Sequence, residues 1–93
     1  MIQSTSWTLH EAVGFDRNSI TSRDWSGYPI LTMPEVPDIE VVLIDRPDEK
    51  PLGAGEASQG PMAAAIANAF AHATGHRLRD LPLSPERVRG ALG

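Results

Sequence analysis

Glu56 is the residue best set to do chemistry, a carboxylate inside the glycine-dense run Pro51-Leu-Gly-Ala-Gly-Glu-Ala-Ser-Gln-Gly-Pro61. A carboxylate held on a turn can act as a general base when its geometry brings it within hydrogen-bond reach of a proton. Gly53, Gly55 and Gly60 lack Cβ, so the backbone beside it can take positive φ or lie close against a ligand or another segment. Ser58 and Gln59 follow at once and could bond such a ligand. Equally, Ser58 or Gly60 could cap the helix that starts behind them. A nucleotide P-loop is argued against, because no Gly-Lys-Ser/Thr ends the run and Lys50 precedes the glycines. His72 and His76 stand four apart, but Gly75 interrupts the helix between them and no third ligand is near. Ordinary polar surface is therefore the reading for both, and no metal-ligating set is assigned.

These residues need elements to position them. Residues 62–74, Met-Ala-Ala-Ala-Ile-Ala-Asn-Ala-Phe-Ala-His-Ala-Thr, have high helix propensity. Pro61 fits the first turn and Gly75 the left-handed C-cap. Residues 1–13 predict a helix with Ile2, Trp7, Leu9 and Val13 apolar, ended by Gly14; Ser4-Thr-Ser6 weakens it. A turn at 16–19 is flanked by short extended pieces, and Pro29, Pro34 and Pro37 keep the next section irregular. Residues 39–45, Ile-Glu-Val-Val-Leu-Ile-Asp, give the clearest strand, bounded by Asp38 and Arg46-Pro47. The unbroken apolar run at 41–44 implies burial on both faces. Ser84 with Pro85 opens a last helix through Leu92. The expected fold is α+β: one small domain over 1–93, with a long alanine-rich helix, a short terminal helix, an N-terminal helix and a small sheet containing strand 39–45.

Read in order, the chain resembles the C-terminal end of the molybdenum-cofactor-binding large subunit of the xanthine dehydrogenase/aldehyde oxidase family. The resemblance rests on Gly53-Ala-Gly-Glu56, Pro61, Ala64-Ala-Ile-Ala-Asn-Ala69 and Ala73-Thr-Gly75. It continues through Arg77-Leu-Arg-Asp-Leu-Pro82 and Ser84-Pro-Glu-Arg-Val88, with Ser6-Trp-Thr-Leu-His-Glu11 and Pro37-Asp-Ile-Glu-Val41 upstream. Thr21-Ser-Arg-Asp-Trp25 and Ala57-Ser-Gln-Gly60 are most similar to the isoquinoline 1-oxidoreductase-like branch. The resemblance implies that Glu56 is the catalytic base and that Gly53, Gly55, Ala57 and Ser58 border a molybdenum–molybdopterin cofactor. It also implies hydroxylation of an N-heteroaromatic or aldehyde substrate with oxygen from water, with electrons leaving through iron–sulfur centres on another chain or domain. Large subunits of this family are several times longer. The expected partners are therefore the remainder of the large molybdenum subunit and an iron–sulfur subunit. The chain alone is expected to hold no cofactor and to turn nothing over.

Composition bounds the alternatives. With 93 residues, one small domain is the ceiling. Alanine supplies much of the apolar content and buries little area per residue, so the core should be thin. Eight basic against twelve acidic residues form no basic stripe, which argues against nucleic acid. Trp7, Trp25 and Tyr28 are too scattered to stack bases; they read as core anchors or as surface that meets a missing domain. The absence of cysteine excludes disulfides and the chain's own iron–sulfur ligands. No apolar run is long enough to span a membrane, and Met1 opens no signal peptide. A cytoplasmic location is the default expectation and a periplasmic one the alternative. Two other classes compete with the enzyme reading: an interaction module that self-associates, homo-oligomeric when isolated, and a small anion-binding protein using the helix start after Gly60.

Overall fold

The computed structural model describes residues 1–93. It is built from three α-helices: α1 (Ile2–Leu9), α2 (Gln59–Thr74) and α3 (Pro85–Leu92), with a single 3-10 turn at Met33–Glu35. No strand forms. The only β-type pairing is an isolated bridge between Phe15 and Ile20.

The hub is α1, whose buried residues are Ser4, Thr5, Ser6 and Thr8. Its serines and threonines are poor helix formers, yet here they are the residues other segments close over. Small hydroxyl side chains permit close approach because they bond back to their own helix. Thr5 Oγ1 donates to the Met1 carbonyl at 3.1 Å and Thr8 Oγ1 to the Ser4 carbonyl at 2.7 Å. Ser6 Oγ accepts the Leu31 N–H at 2.9 Å, and the Thr8 carbonyl accepts the Leu83 N–H at 2.7 Å. No buried side-chain polar atom is left without a partner. Leu83 is the one buried apolar residue, so the core is small and polar-rich.

Helix α2 lies against α1. Met62, Ala63, Ile66, Ala67, Phe70, Ala71 and Thr74 form a half-buried stripe at helical spacing, and the alanines opposite it face solvent. It starts two residues before the expected boundary, which places Pro61 at its third position, still inside the turn that needs no N–H partner. Gly75 ends it at φ 77°, the left-handed conformation that favours glycine, and donates its N–H to the Ala71 carbonyl at 2.8 Å. Ser84 caps α3 by accepting the Arg87 N–H at 3.4 Å.

Three expectations need correction. The fold is helical, not α+β, and the small sheet is absent. Residues 39–45 run extended but unpaired: no backbone N–H or C=O of residues 37–45 finds a backbone partner. A strand is stable only as part of a ladder with its apolar faces covered, and these residues meet neither condition within the chain. The N-terminal helix stops at Leu9 instead of reaching Val13. Beyond it, Glu11 accepts the Tyr28 hydroxyl at 2.8 Å, and Ser22 Oγ takes the Gly14 N–H at 2.8 Å while donating to the Gly27 carbonyl at 2.7 Å. Those bonds draw residues 11–14 off the helix axis and into the 14–28 loop.

The molecule is open. Its radius of gyration is 16.6 Å, whereas a compact chain of this length has about 12 Å. Its accessible surface is 7808 Å², against about 5,200 Å² for a folded monomer of its mass.

Candidate active site

Glu56 sits on the turn that feeds α2. The turn is closed by backbone bonds from the Ala57 N–H to the Ala54 carbonyl (3.5 Å) and from the Gln59 N–H to the Glu56 carbonyl (3.0 Å). The Glu56 side chain is exposed and has no hydrogen-bond or ionic partner in the chain. Ser58 occupies the N-cap position in αR geometry (φ −84°, ψ −5°), and its hydroxyl makes no cap hydrogen bond. Instead its Oγ accepts from the Met1 nitrogen at 3.0 Å, tying the turn to the start of α1.

This docking makes a small cleft of about 40 Å³ in which Gly55, Glu56, Ser58 and Gln59 face Gln3 and Trp7 of α1. Of the residues read from the sequence, Gly55, Glu56 and Ser58 are brought together there. Gly53 and Ala57 lie on the exposed turn outside the lining. Gln3 and Trp7 carry no sequence signal for the site, because only the packing of α1 on α2 brings residues about fifty positions apart into one place. A volume of about 40 Å³ admits little more than one water, and small-molecule sites need roughly 300 Å³ or more.

The glycines of the turn behave differently from expectation. None of Gly53, Gly55 and Gly60 has a positive φ, and a Cβ at any of them would meet nothing within 4 Å. Nothing inside the chain requires glycine there.

Two larger grooves lie elsewhere. One, of about 480 Å³, runs between α1 and α2 past Leu9, Met62, Ile66 and Ile39. The other, of about 490 Å³, is lined by Ile2, Gln3 and Ser6 of α1 together with Trp25, Tyr28 and Ile30. Neither includes Glu56. His72 and His76 do not come together with a third ligand, and no cluster of three metal-ligating side chains exists.

The perturbed titrating groups are also remote from Glu56 and serve the loops. Two backbone N–H groups, from Asn18 and Ser19, hold the Asp16 carboxyl below its ordinary range. The Thr32 hydroxyl, then the Thr32 N–H, and more weakly His10 at 3.9 Å lower Glu35. The hydrogen bond to Glu11 raises the Tyr28 phenol.

The candidate site is thus an exposed carboxylate on an open glycine turn, ahead of an alanine-rich helix. By sequence, the chain belongs to the molybdenum-binding subunits of the xanthine dehydrogenase/aldehyde oxidase family. It is 54% identical over its full length to a subunit of the nicotinate dehydrogenase of Pseudomonas putida, covering 8% of that protein. It is 36% identical over 91% of its length to the beta chain of the isoquinoline 1-oxidoreductase of Brevundimonas diminuta, covering 11%. Over 76% of its length it is 35% identical to the aldehyde oxidoreductase molybdenum-binding subunit PaoC of Escherichia coli, covering 10%. The chain thus spans about a tenth of the length of the curated relatives it matches. No protein-family model matches it.

Proposed function

We propose that this chain supplies the catalytic base, Glu56, to a molybdenum hydroxylase acting on a small N-heteroaromatic or aldehyde substrate. The observation that carries the reading is the full-length 54% identity to a nicotinate dehydrogenase subunit, in a chain whose turn carboxylate is exposed and uncommitted. The residues fit a bulky polar cofactor on one count. Gly53, Gly55 and Gly60 are bare of neighbours, so the turn offers backbone that another body can approach closely.

In the assembly, Gly53, Gly55, Ala57 and Ser58 would border the molybdenum–molybdopterin cofactor, which would supply oxygen transfer from water and take up the electrons. Glu56 accepts the proton released as the new carbon–oxygen bond forms. Ser58, fixed by the start of α1, and the N-terminal turn of α2 set the position of the carboxylate. A base must be held within hydrogen-bond reach, and this anchoring limits its travel. Substrate and cofactor would be held mainly by the remainder of the large subunit, with an iron–sulfur subunit as the electron acceptor. The chain alone is expected to be inactive.

The test is Glu56→Gln in the assembled enzyme, with nicotinate, isoquinoline and aromatic aldehydes as substrates. Turnover should fall by about 10²–10⁴-fold with molybdenum content unchanged. Retained turnover at full molybdenum loading sinks the assignment.

A further inference from the structure

We infer that Gln3 is the positioning residue of the Glu56 carboxylate, holding it across the cleft between α1 and the turn by a hydrogen bond, direct or through one water. This rests on the reading of Glu56 as the base and names the group that orients its side chain.

The backbone of the turn is tied down, and the carboxylate is not. Ser58 Oγ takes the Met1 nitrogen at 3.0 Å, which holds the turn against α1. Beyond that anchor Glu56 reaches out on three side-chain torsions, exposed and without a partner in the chain. A base must meet its proton within hydrogen-bond reach, and a misplacement of about 1 Å can cost about 100-fold in rate. Orientation therefore needs a contact at the side chain itself.

Gln3 is placed to make that contact. It stands four residues from Trp7 on one face of α1, and both line the cleft with Glu56. No Lys, Arg or His lines the cleft, so the side chains able to donate are those of Gln3, Ser4, Trp7, Ser58 and Gln59. Ser58 is engaged with Met1, and Ser4 is buried in α1 on a short side chain. Gln59 rides on the same turn as Glu56 and cannot fix it against the body. Trp7 has a single N–H on a rigid ring and serves as a wall. Gln3 carries two N–H donors and is followed in α1 by three buried residues that hold its backbone. It also borders the groove beside Trp25, but Glu11 and Ser6 there already hold Tyr28 and Leu31. Glu56 holds nothing.

The cleft of about 40 Å³ admits about one water, so the link is short. A carboxamide also suits a group that changes protonation state. It donates to the carboxylate, a charge-assisted bond, and its carbonyl accepts from the carboxyl once the proton has arrived. An ammonium at this position would serve only the ionised form.

The contact is read first without turnover, by nuclear magnetic resonance on the isotopically labelled isolated chain. Glu56→Gln should shift the side-chain amide signals of Gln3, and Glu49→Gln should leave them in place. Gln3 signals that do not move with Glu56 overturn the inference.

Its consequence is read in the assembled enzyme with Gln3→Met, which keeps the length and helix propensity of the side chain and removes both donors. Turnover should fall about tenfold in kcat, with KM and molybdenum content unchanged, since Gln3 acts through Glu56 and touches neither substrate nor cofactor. In the Glu56→Gln background the same change should cost nothing further. A rise in KM alone, a loss of molybdenum, or a second tenfold loss in that background gives Gln3 another role and overturns the inference. A loss on Trp7→Phe with none on Gln3→Met assigns the donor to the indole and overturns it as well. Full turnover in Glu56→Gln removes the base and its positioning residue together. Turnover lost in Glu56→Gln but full in Gln3→Met rejects the positioning alone.

Discussion

The helical body and the arm at residues 37–58 make opposite use of their residues. In the body, polar side chains with weak helix propensity are buried and every buried polar atom is bonded. In the arm, the most hydrophobic tetrad of the sequence is exposed, its backbone is unpaired, and Gly53 and Gly55 have open space where a Cβ would go. Burial follows hydrogen-bond satisfaction and covering area, not hydropathy alone. The body supplies both for α1. The chain supplies neither to residues 39–45 of the arm.

This contrast can be broken by substitution in the isolated chain. Leu83→Ala should cost the most, about 2–3 kcal/mol, because it empties the one buried apolar site; thermal unfolding followed by circular dichroism reads it. An unchanged melting temperature would mean that the body is not closed by this contact. Ser6→Ala leaves the Leu31 N–H without its acceptor and should cost about 1–2 kcal/mol, with faster exchange of that amide as the specific sign. Gly75→Ala forces a side chain into the left-handed region at φ 77° and should cost about 1 kcal/mol, even though a Cβ there touches nothing. Leu43→Ala should change the stability of the isolated chain by no more than about 0.5 kcal/mol, although the same change in the body would be severe. A large loss at Leu43 would erase the distinction between the two regions.

Acid should act on the loops of the body. The folded-state pKa of Glu35 lies below its ordinary value of 4.5 because Thr32 donates to the carboxylate. Its stabilisation is therefore fully present above about pH 4.5 and is lost as pH falls through the lower folded value. Asp16, held low by the N–H groups of Asn18 and Ser19, acts in the same direction. Melting temperature should drop on acidification below that point, and Glu35→Gln should flatten the drop.

Much of the site is legible without coordinates. Gly75 and Ser84-Pro85 signal their helix ends through local chemistry, which needs no distant partner. The ordered motifs around Glu56 point to the family, and the relatives bear that out. Gln3 and Trp7 are not legible in this way. Their place beside Glu56 depends on the docking of α1 against the start of α2, to which the bond from Met1 to Ser58 contributes. In the sequence, the Ser4-Thr-Ser6 run reads as a weakness in a helix. In the fold it is the centre of the body: Thr5 and, one turn on, Thr8 bond back to their own helix, and Ser6 accepts the Leu31 N–H.

The sequence by itself determined which stretches are helical, where α2 and α3 stop, the family, and the carboxylate presented on the turn. Those features follow from backbone preferences and residue identities acting over a few positions. Only the tertiary structure decided that 39–45 stays unpaired, that a polar helix forms the core, and that Glu56 is left exposed. Each of those outcomes depends on what covers a surface or completes a ladder, and the chain supplies neither at residues 39–45.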